Sequence, residues 1–273
     1  MQRTSTQRGF SLVEMSIVLL IIALVTGGFA YSRMLLRSAQ VQSITTDINQ
    51  YKSAINAFVI KYDGLPGDMV NNSTYWPHAM DGITAVVWAG DGSESIGDIN
   101  GDGNGRIDNY EPLYAWLILD ISGVAPGLST KLRGHSVGSD GSSILGYLNE
   151  VFGIPSANAC YPVAPGSNIP PTQIDGGGYQ LSHSHTTLYG RNDNAIIVGK
   201  LEGPAPSGMR GPLLTPAEAI QLDAKMDDGI ANTGTVVADS GVASATPCLS
   251  GSNQYLKDDT NVSCYLQFWL AKP

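Results

Sequence analysis

Basic residues are scarce in this chain. Fifteen Lys plus Arg stand against 24 Asp plus Glu in 273 residues, a net charge of -9. Such a chain repels phosphate backbones, and no local basic patch offsets the repulsion, so nucleic acid is not an expected partner. Patterns that carry catalysis are scarce too. One serine, Ser136, sits in Gly-x-Ser-x-Gly (Gly134 to Gly138), but the sequence places no base and acid to complete a triad with it. No Cys-His or phosphate-loop motif occurs, and the aspartates fall mostly in turns without paired-carboxylate geometry. With no nucleophile beside a base, an enzyme is not expected. His78 and His135 are isolated. His183 and His185 alternate on a presumed strand and share a face, as a pair of transition-metal ligands would. No third ligand is placed beside them, and two exposed histidines in a polar strand need no function. Proline is absent before Pro66, and cysteines number three.

Charge is also nearly absent from one long stretch, which makes its exception informative. Ser16 to Ala30 run almost wholly apolar, and Glu14 sits inside what is otherwise a membrane-spanning stretch. A charge at bilayer depth costs roughly 2.5 to 3.5 kcal/mol on insertion scales, so an acid there points to a functional site with a partner to be found. Two ordinary alternatives are a secretory signal, with Arg3 and Arg8 before an apolar core and small residues near Gly28 and Ala30, and a simple single-pass anchor. Glu14 sits badly in a signal core. Charge does not fix the orientation, since Arg3 and Arg8 precede the stretch while Arg33 and Arg37 come after it.

The local pattern Gly9, Phe10, Ser11, Leu12, Glu14 ahead of an apolar helix resembles the processing site of type IV prepilins and of the pseudopilins of type II secretion. The resemblance implies cleavage between Gly9 and Phe10 by a prepilin peptidase on the cytoplasmic side, then methylation of the new Phe10 amine. It also implies that Glu14, fifth in the mature chain, neutralises the Phe10 amine of a neighbouring subunit. Pairing accounts for the acid physically, because buried ions persist mainly when paired. Gly9 fits a cut site because a residue without Cβ lets a protease approach the backbone. Loss of Arg3 and Arg8 with the leader takes the net charge from -9 to -11.

Beyond the apolar run, Val41, Ile44, Ile48, Tyr51, Ile55, Phe58 and Tyr62 recur at spacings of three and four, one apolar stripe on a helix. A helix over 10–62 spans roughly 80 Å at about 1.5 Å per residue. Its first half, about 10–31, is apolar all round, and its second half is amphipathic and suited to packing on a sheet. Gly27 and Gly28 give it a point of local give. Such a helix is the spine of a pilin, although it lacks the kinking proline of many major pilins. Tyr62, Asp63, Gly64, Leu65, Pro66, Gly67 and Asp68 end it with turn chemistry, and similar Leu-Pro-Gly-Asp turns come after the spine in a group of pilin-like proteins. Residues 69–97 read mostly as loop.

The run from Asn100 to Glu111 carries a second signal. Laid on the twelve-residue calcium loop, Asn100, Asp102, Asn104, Asp108 and Glu111 supply side-chain oxygens, Arg106 its carbonyl, Gly105 the sharp turn and Ile107 the aliphatic position. The loop resembles that of EF-hands, with Asn100 where an aspartate is usual, which lowers ligand charge. A register starting at Asp98, with Asn100 and Asp102, resembles a dockerin-type loop but misplaces the aliphatic residue and the final acid. No amphipathic helix enters the loop over 90–97, whereas 111–121 reads as an exiting helix with Leu113, Trp116 and Leu117 on one side. A calcium-stabilised loop is therefore expected rather than a calcium sensor, with a metal-free Gly-Asn-Asp turn as the alternative.

The remainder of the chain adds short elements. Ile144, Leu145, Leu148, Val151 and Phe152 predict a core helix over 142–152, and 179–183 and 194–201 predict strands. Thr215, Pro216 and Glu218 mark a capped helix start, with the helix running to about Met226. Residues 235–238 and 263–270 predict late strands. The run from Leu214 to Val236 is similar to the C-terminal part of that same pilin-like group, in which a cysteine pair closes the chain. The resemblance assigns that role to Cys248 and Cys264, in an oxidising compartment after export. Cys160 is left over, and three cysteines alone do not fix a pairing.

The expectation is an α+β, pilin-like fold: leader 1–9, N-terminal helix 10–62, and a periplasmic or extracellular globular head over 63–273, in which an antiparallel sheet packs on the helix and carries extra loops and short helices. The expected function is that of a structural subunit, minor or specialised, of a type IV pilus or type II secretion pseudopilus. Its expected partners are other pilin or pseudopilin subunits, the prepilin peptidase and the inner-membrane assembly machinery. The precursor would sit in the bacterial inner membrane and the mature chain in a filament in the periplasm or at the cell surface. The rival expectation is a membrane-anchored, calcium-stabilised adhesin or binding module that does not polymerise.

Overall fold

The structure, a computed structural model, describes residues 11–77, 86–88, 94–96, 100–108, 111–125, 128, 165, 169–183, 193–201, 208–242 and 244–270. The expected helix over 142–152, Cys160, His78, His135, His185 and Asp98 lie outside them. The chain divides into two compact units, Met1–Gln40 and Val41–Pro273.

Helix α1 runs over Leu12–Tyr62 without a proline to break it. In the first unit its described apolar residues are exposed: Leu12 is 90% exposed and Leu24 74%, with Leu20, Val25 and Leu36 also exposed. A helix apolar on every side is stable when surrounded by lipid or by other helices. By length and composition α1 is suited to crossing a membrane.

In the second unit the helical stripe becomes a core. Val41, Ile44, Ile48, Tyr51, Ile55 and Phe58 are all buried, as the spacing predicts. Asp63, at φ 55°, ends the helix in the left-handed region, which aspartate tolerates better than most residues. The segment after this turn is not all loop. A short helix α2 occupies Asn72–Tyr75, and the β-branched and aromatic run Val86–Trp88 (β1) pairs antiparallel with Glu94–Ile96 (β2). Helix α3 spans Glu111–Ile121. Strands β3 (Gly177–His183) and β4 (Asn194–Lys200), helix α4 (Pro216–Met226), and strands β5 (Val236–Ser240) and β6 (Cys264–Trp269) complete the described elements. Thr215 Oγ1 accepts the Glu218 N–H at 3.3 Å and Glu218 Oε2 accepts the Thr215 N–H at 2.9 Å, the reciprocal cap expected at the start of α4.

The four-stranded sheet has the order β3-β4-β6-β5, every pair antiparallel. Period-two alternation sorts its side chains. Tyr179, Leu181, Ile196, Val198, Leu266, Phe268, Val236 and Ala238 join the α1 stripe in one core, while Ala195, Val237 and Trp269 make a separate small cluster. Tyr51 centres the contact, its ring edge-on to Trp116 of α3 at 4.8 Å and to Tyr179 of β3 at 5.1 Å. Tyr179 then donates from its hydroxyl to Asp47 Oδ2 at 2.8 Å, so helix and sheet are joined by both packing and a charge-assisted hydrogen bond. The long helix succeeded by an antiparallel sheet is the α+β, pilin-like arrangement expected from the sequence.

Candidate functional site

Among the described residues, two regions bear on the expected sites. At the N-terminus, Gly9 and Phe10 lie outside the described residues. Glu14 stands in the first turn of α1, and its Oε2 accepts the Ser11 N–H at 3.4 Å. Around it the helix presents only apolar or hydroxyl side chains up to Arg33. The hydroxyls fold back onto the helix: Ser16 donates to the Val13 carbonyl at 2.8 Å and Thr26 to the Ile22 carbonyl at 2.9 Å.

The second region joins the turn after α1 to the Asn100–Glu111 segment. Gly101 donates to the Met69 carbonyl and Gly103 to the Asp68 carbonyl, both at 2.8 Å, which lays one backbone along the other. The approach requires glycine: a Cβ on Gly101 would fall 2.3 Å from the Asp68 carbonyl carbon. Asp68 reaches into the loop, with Oδ1 accepting the Asn104 N–H at 3.0 Å and Oδ2 the Gly105 N–H at 2.9 Å. Gly105, at φ +79°, makes the sharp turn. Glu111, in the first turn of α3, closes the loop from the other end. Its Oε1 accepts the Asp102 N–H at 3.1 Å and its Oε2 the Asp108 N–H at 3.0 Å.

The loop is also pinned to the sheet. Asn194 accepts the Ile107 N–H at 2.8 Å and donates to the Gly105 carbonyl at 3.0 Å, while the Ile107 carbonyl accepts the His183 N–H at 2.5 Å. Ile107 itself is fully buried in the core. His183, expected to be exposed, is buried where the Ile107 loop docks on the end of β3.

Of the expected metal-ligating residues, Asp102 and Glu111 come together, and Asp68 joins them. One carboxylate oxygen of each lies within 4.8 Å of the others. Asn100 turns elsewhere, its Oδ1 accepting the Ser73 N–H at 2.8 Å and its Nδ2 donating to Ser73 Oγ at 2.9 Å. Asn104 Oδ1 accepts the Arg106 N–H at 2.7 Å, and Asn104 Nδ2 donates to Asp102 Oδ2 at 2.8 Å. Asp108 contributes its N–H to Glu111 and its carbonyl to the Glu111 N–H at 3.0 Å. The acid that Asn100 lacks is therefore replaced in space by Asp68, from more than thirty residues upstream. The available sequence signal was the Leu-Pro-Gly-Asp turn, which fixes an acid on a rigid corner.

Burial pushes Glu111 up to about 7, with the Asp68 and Asp102 charges adding and the Asp102 and Asp108 amides opposing. Burial raises Asp68 as well, against the Gly105, Asn104 and Gly103 amides and with the Asp102 charge. Glu111 and Asp68 thus resist ionising, and a hard cation is the species that would favour their charged forms.

A further acidic group, Asp223, Asp227 and Asp228, organises the turn after α4. Asp223 accepts the Tyr255 hydroxyl at 2.8 Å and the Gly229 N–H at 3.2 Å, Asp227 accepts the Thr235 and Val236 amides, and Asp228 the Ile230 N–H at 2.8 Å. Nearby, Cys248 and Cys264 form a disulfide, both cysteines buried and their Cα atoms 4.9 Å apart. It closes the 248–264 segment onto the first residue of β6.

Residues 4–30 match the family model described as the prokaryotic N-terminal methylation motif, a stretch that includes Gly9, Phe10 and Glu14. No curated protein and no solved structure matches the chain.

Proposed function

We propose, from an N-terminal methylation motif that supports a type IV pilin-like or pseudopilin subunit, that this chain is a minor or specialised structural subunit of a type IV pilus or type II secretion pseudopilus. A prepilin peptidase cuts after Gly9, the Phe10 amine is methylated, and Glu14 pairs with that amine on a neighbouring subunit. The observation that carries the reading is the first half of α1, an apolar surface exposed on every side with a single carboxylate in its first turn. Lipid surrounds that surface in a membrane-anchored precursor, and the helices of other subunits surround it in a filament. In the low dielectric of either setting an acid needs a countercharge, and the amine created by processing provides one.

The head has a constructive role in this reading. A calcium ion at Asp68, Asp102 and Glu111 ties the turn that ends α1 to the loop that precedes α3. Support comes from the twelve-residue loop pattern together with the convergence of three carboxylates. The disulfide secures the far end of the same unit. Function then lies in assembly and in what the head presents, and no part of this reading requires an active site.

Co-expression with a prepilin peptidase and mass measurement of the product tests the first step: loss of residues 1–9 with a methylated Phe10 is expected. A leader left intact would sink the filament reading and favour an anchored adhesin. Glu14→Ala should still be cleaved and inserted yet fail to enter filaments, and normal incorporation would remove the charge pair.

A further inference from the structure

A carboxylate whose partner belongs to another subunit poses a problem for the single chain. Before assembly no neighbouring amine is at hand, and an unpaired ion at bilayer depth is strongly disfavoured. The chain carries a partner of its own. Ser11 stands immediately before Leu12, the first residue of α1. Its carbonyl accepts the Met15 N–H at 3.1 Å, the first intrahelical bond. Its hydroxyl oxygen accepts the Val13 N–H at 3.3 Å, and its own N–H donates to Glu14 Oε2 at 3.4 Å. Ser11, Leu12, Val13 and Glu14 therefore read Ser-x-x-Glu, and the bonds make a variant of the capping box in which the serine hydroxyl takes the Val13 amide and the Glu14 carboxylate takes the Ser11 amide. The first-turn amides add a partial positive charge that favours an anion at that end.

We propose that Glu14 has two successive partners: the Ser11 N–H of its own chain before assembly, and the Phe10 amine of a neighbour after it. This rests on the charge-pair reading above and adds a state to it. Both bonds of the box are long for hydrogen bonds, so a full positive charge outcompetes the amide. Ser11 is thus a positioning residue. It fixes the start of the helix, holds the carboxylate back against the helix N-terminus, and keeps it hydrogen-bonded until an amine arrives.

The test uses the ¹⁵N-labelled full-length chain in detergent micelles and in assembled filaments, with amide exchange read residue by residue. Glu14→Ala should speed exchange of the Ser11 amide about fivefold, while Glu14→Gln, whose amide oxygen still accepts, should leave it slow. Ser11→Ala should speed the Val13 amide by a similar factor, and Ser11→Thr, which keeps the cap, should restore it. In filaments of the unaltered chain the Ser11 amide should resemble that of unassembled Glu14→Ala. Unchanged Ser11 exchange in Glu14→Ala overturns the cap and leaves the intersubunit pair standing. The same Ser11 signal before and after assembly overturns the exchange of partners. Incorporation of Glu14→Gln at the normal level, by contrast, overturns the charge pair and not the cap.

Discussion

Adding calcium to the chelated protein should raise its melting temperature, and Asp68→Asn should abolish most of the rise. Three carboxylates meet within 4.8 Å, two of them buried, so the metal-free loop holds acids that oppose one another. Loops of this kind in extracellular modules bind calcium with dissociation constants on the order of 10⁻⁴ to 10⁻³ M. At about 10 mM calcium the ratio of ligand to dissociation constant is then roughly 10 to 100, which stabilises the folded form by about 1.4 to 2.7 kcal/mol. For a unit the size of Val41–Pro273, each kcal/mol moves the melting point by about 2–4 °C, giving a rise of roughly 3–10 °C. Asp68→Asn keeps an acceptor for one of the two loop amides and removes one of three charges, so its calcium-dependent rise, read against its own chelated form, should be small. Asn100→Ala should retain the calcium response, because both polar atoms of the Asn100 amide are bonded to Ser73. Differential scanning calorimetry with and without chelator reads all three. A parent with no shift, or a response lost in Asn100→Ala and kept in Asp68→Asn, would refute the reasoning.

The same packing sets other expectations. In chelator, melting should fall as pH rises between about 5 and 8. Glu111 and Asp68 are raised above their ordinary values and Asp223 is raised to about 6, so the folded state holds protons that the unfolded chain releases first. Calcium should flatten that slope, and a melting point that climbs with pH in chelator would contradict the sign. Gly101→Ala should unseat the loop from the Asp68 turn at a cost of about 1–3 kcal/mol by overpacking, measured by urea denaturation, and should also blunt the calcium response. Gly105→Ala meets no neighbour and should cost only the left-handed backbone penalty, about 1–2 kcal/mol, by the same assay. Replacing Cys248 and Cys264 together by alanine should cost roughly 3 kcal/mol in the chain-entropy model, again read by denaturation.

Periodicity and local chemistry determined much of this protein directly. The stripe from Val41 to Phe58 had one helical face and became the core, and the Thr215 cap and the strands at 179–183, 194–201 and 263–270 took the predicted forms, because each is specified by neighbours within a few residues. The methylation motif, too, is linear, since a peptidase reads consecutive residues. The Cys248–Cys264 link is expected only by resemblance, and its spatial reason is the return of β6 to the end of β5. The short strands β1 and β2 are not legible in the sequence, because three-residue runs carry too little pattern to outweigh the glycine and aspartate around them. His183 reads as a surface residue because its neighbours are polar, and only the loop carbonyl of Ile107 docking on β3 buries it. Asp68 is the clearest case. Sequence placed an acid on a rigid turn and left a loop short of one charge, but no local rule connects positions so far apart. Tertiary structure decided that they meet, through two backbone hydrogen bonds and a glycine that allows the segments to touch.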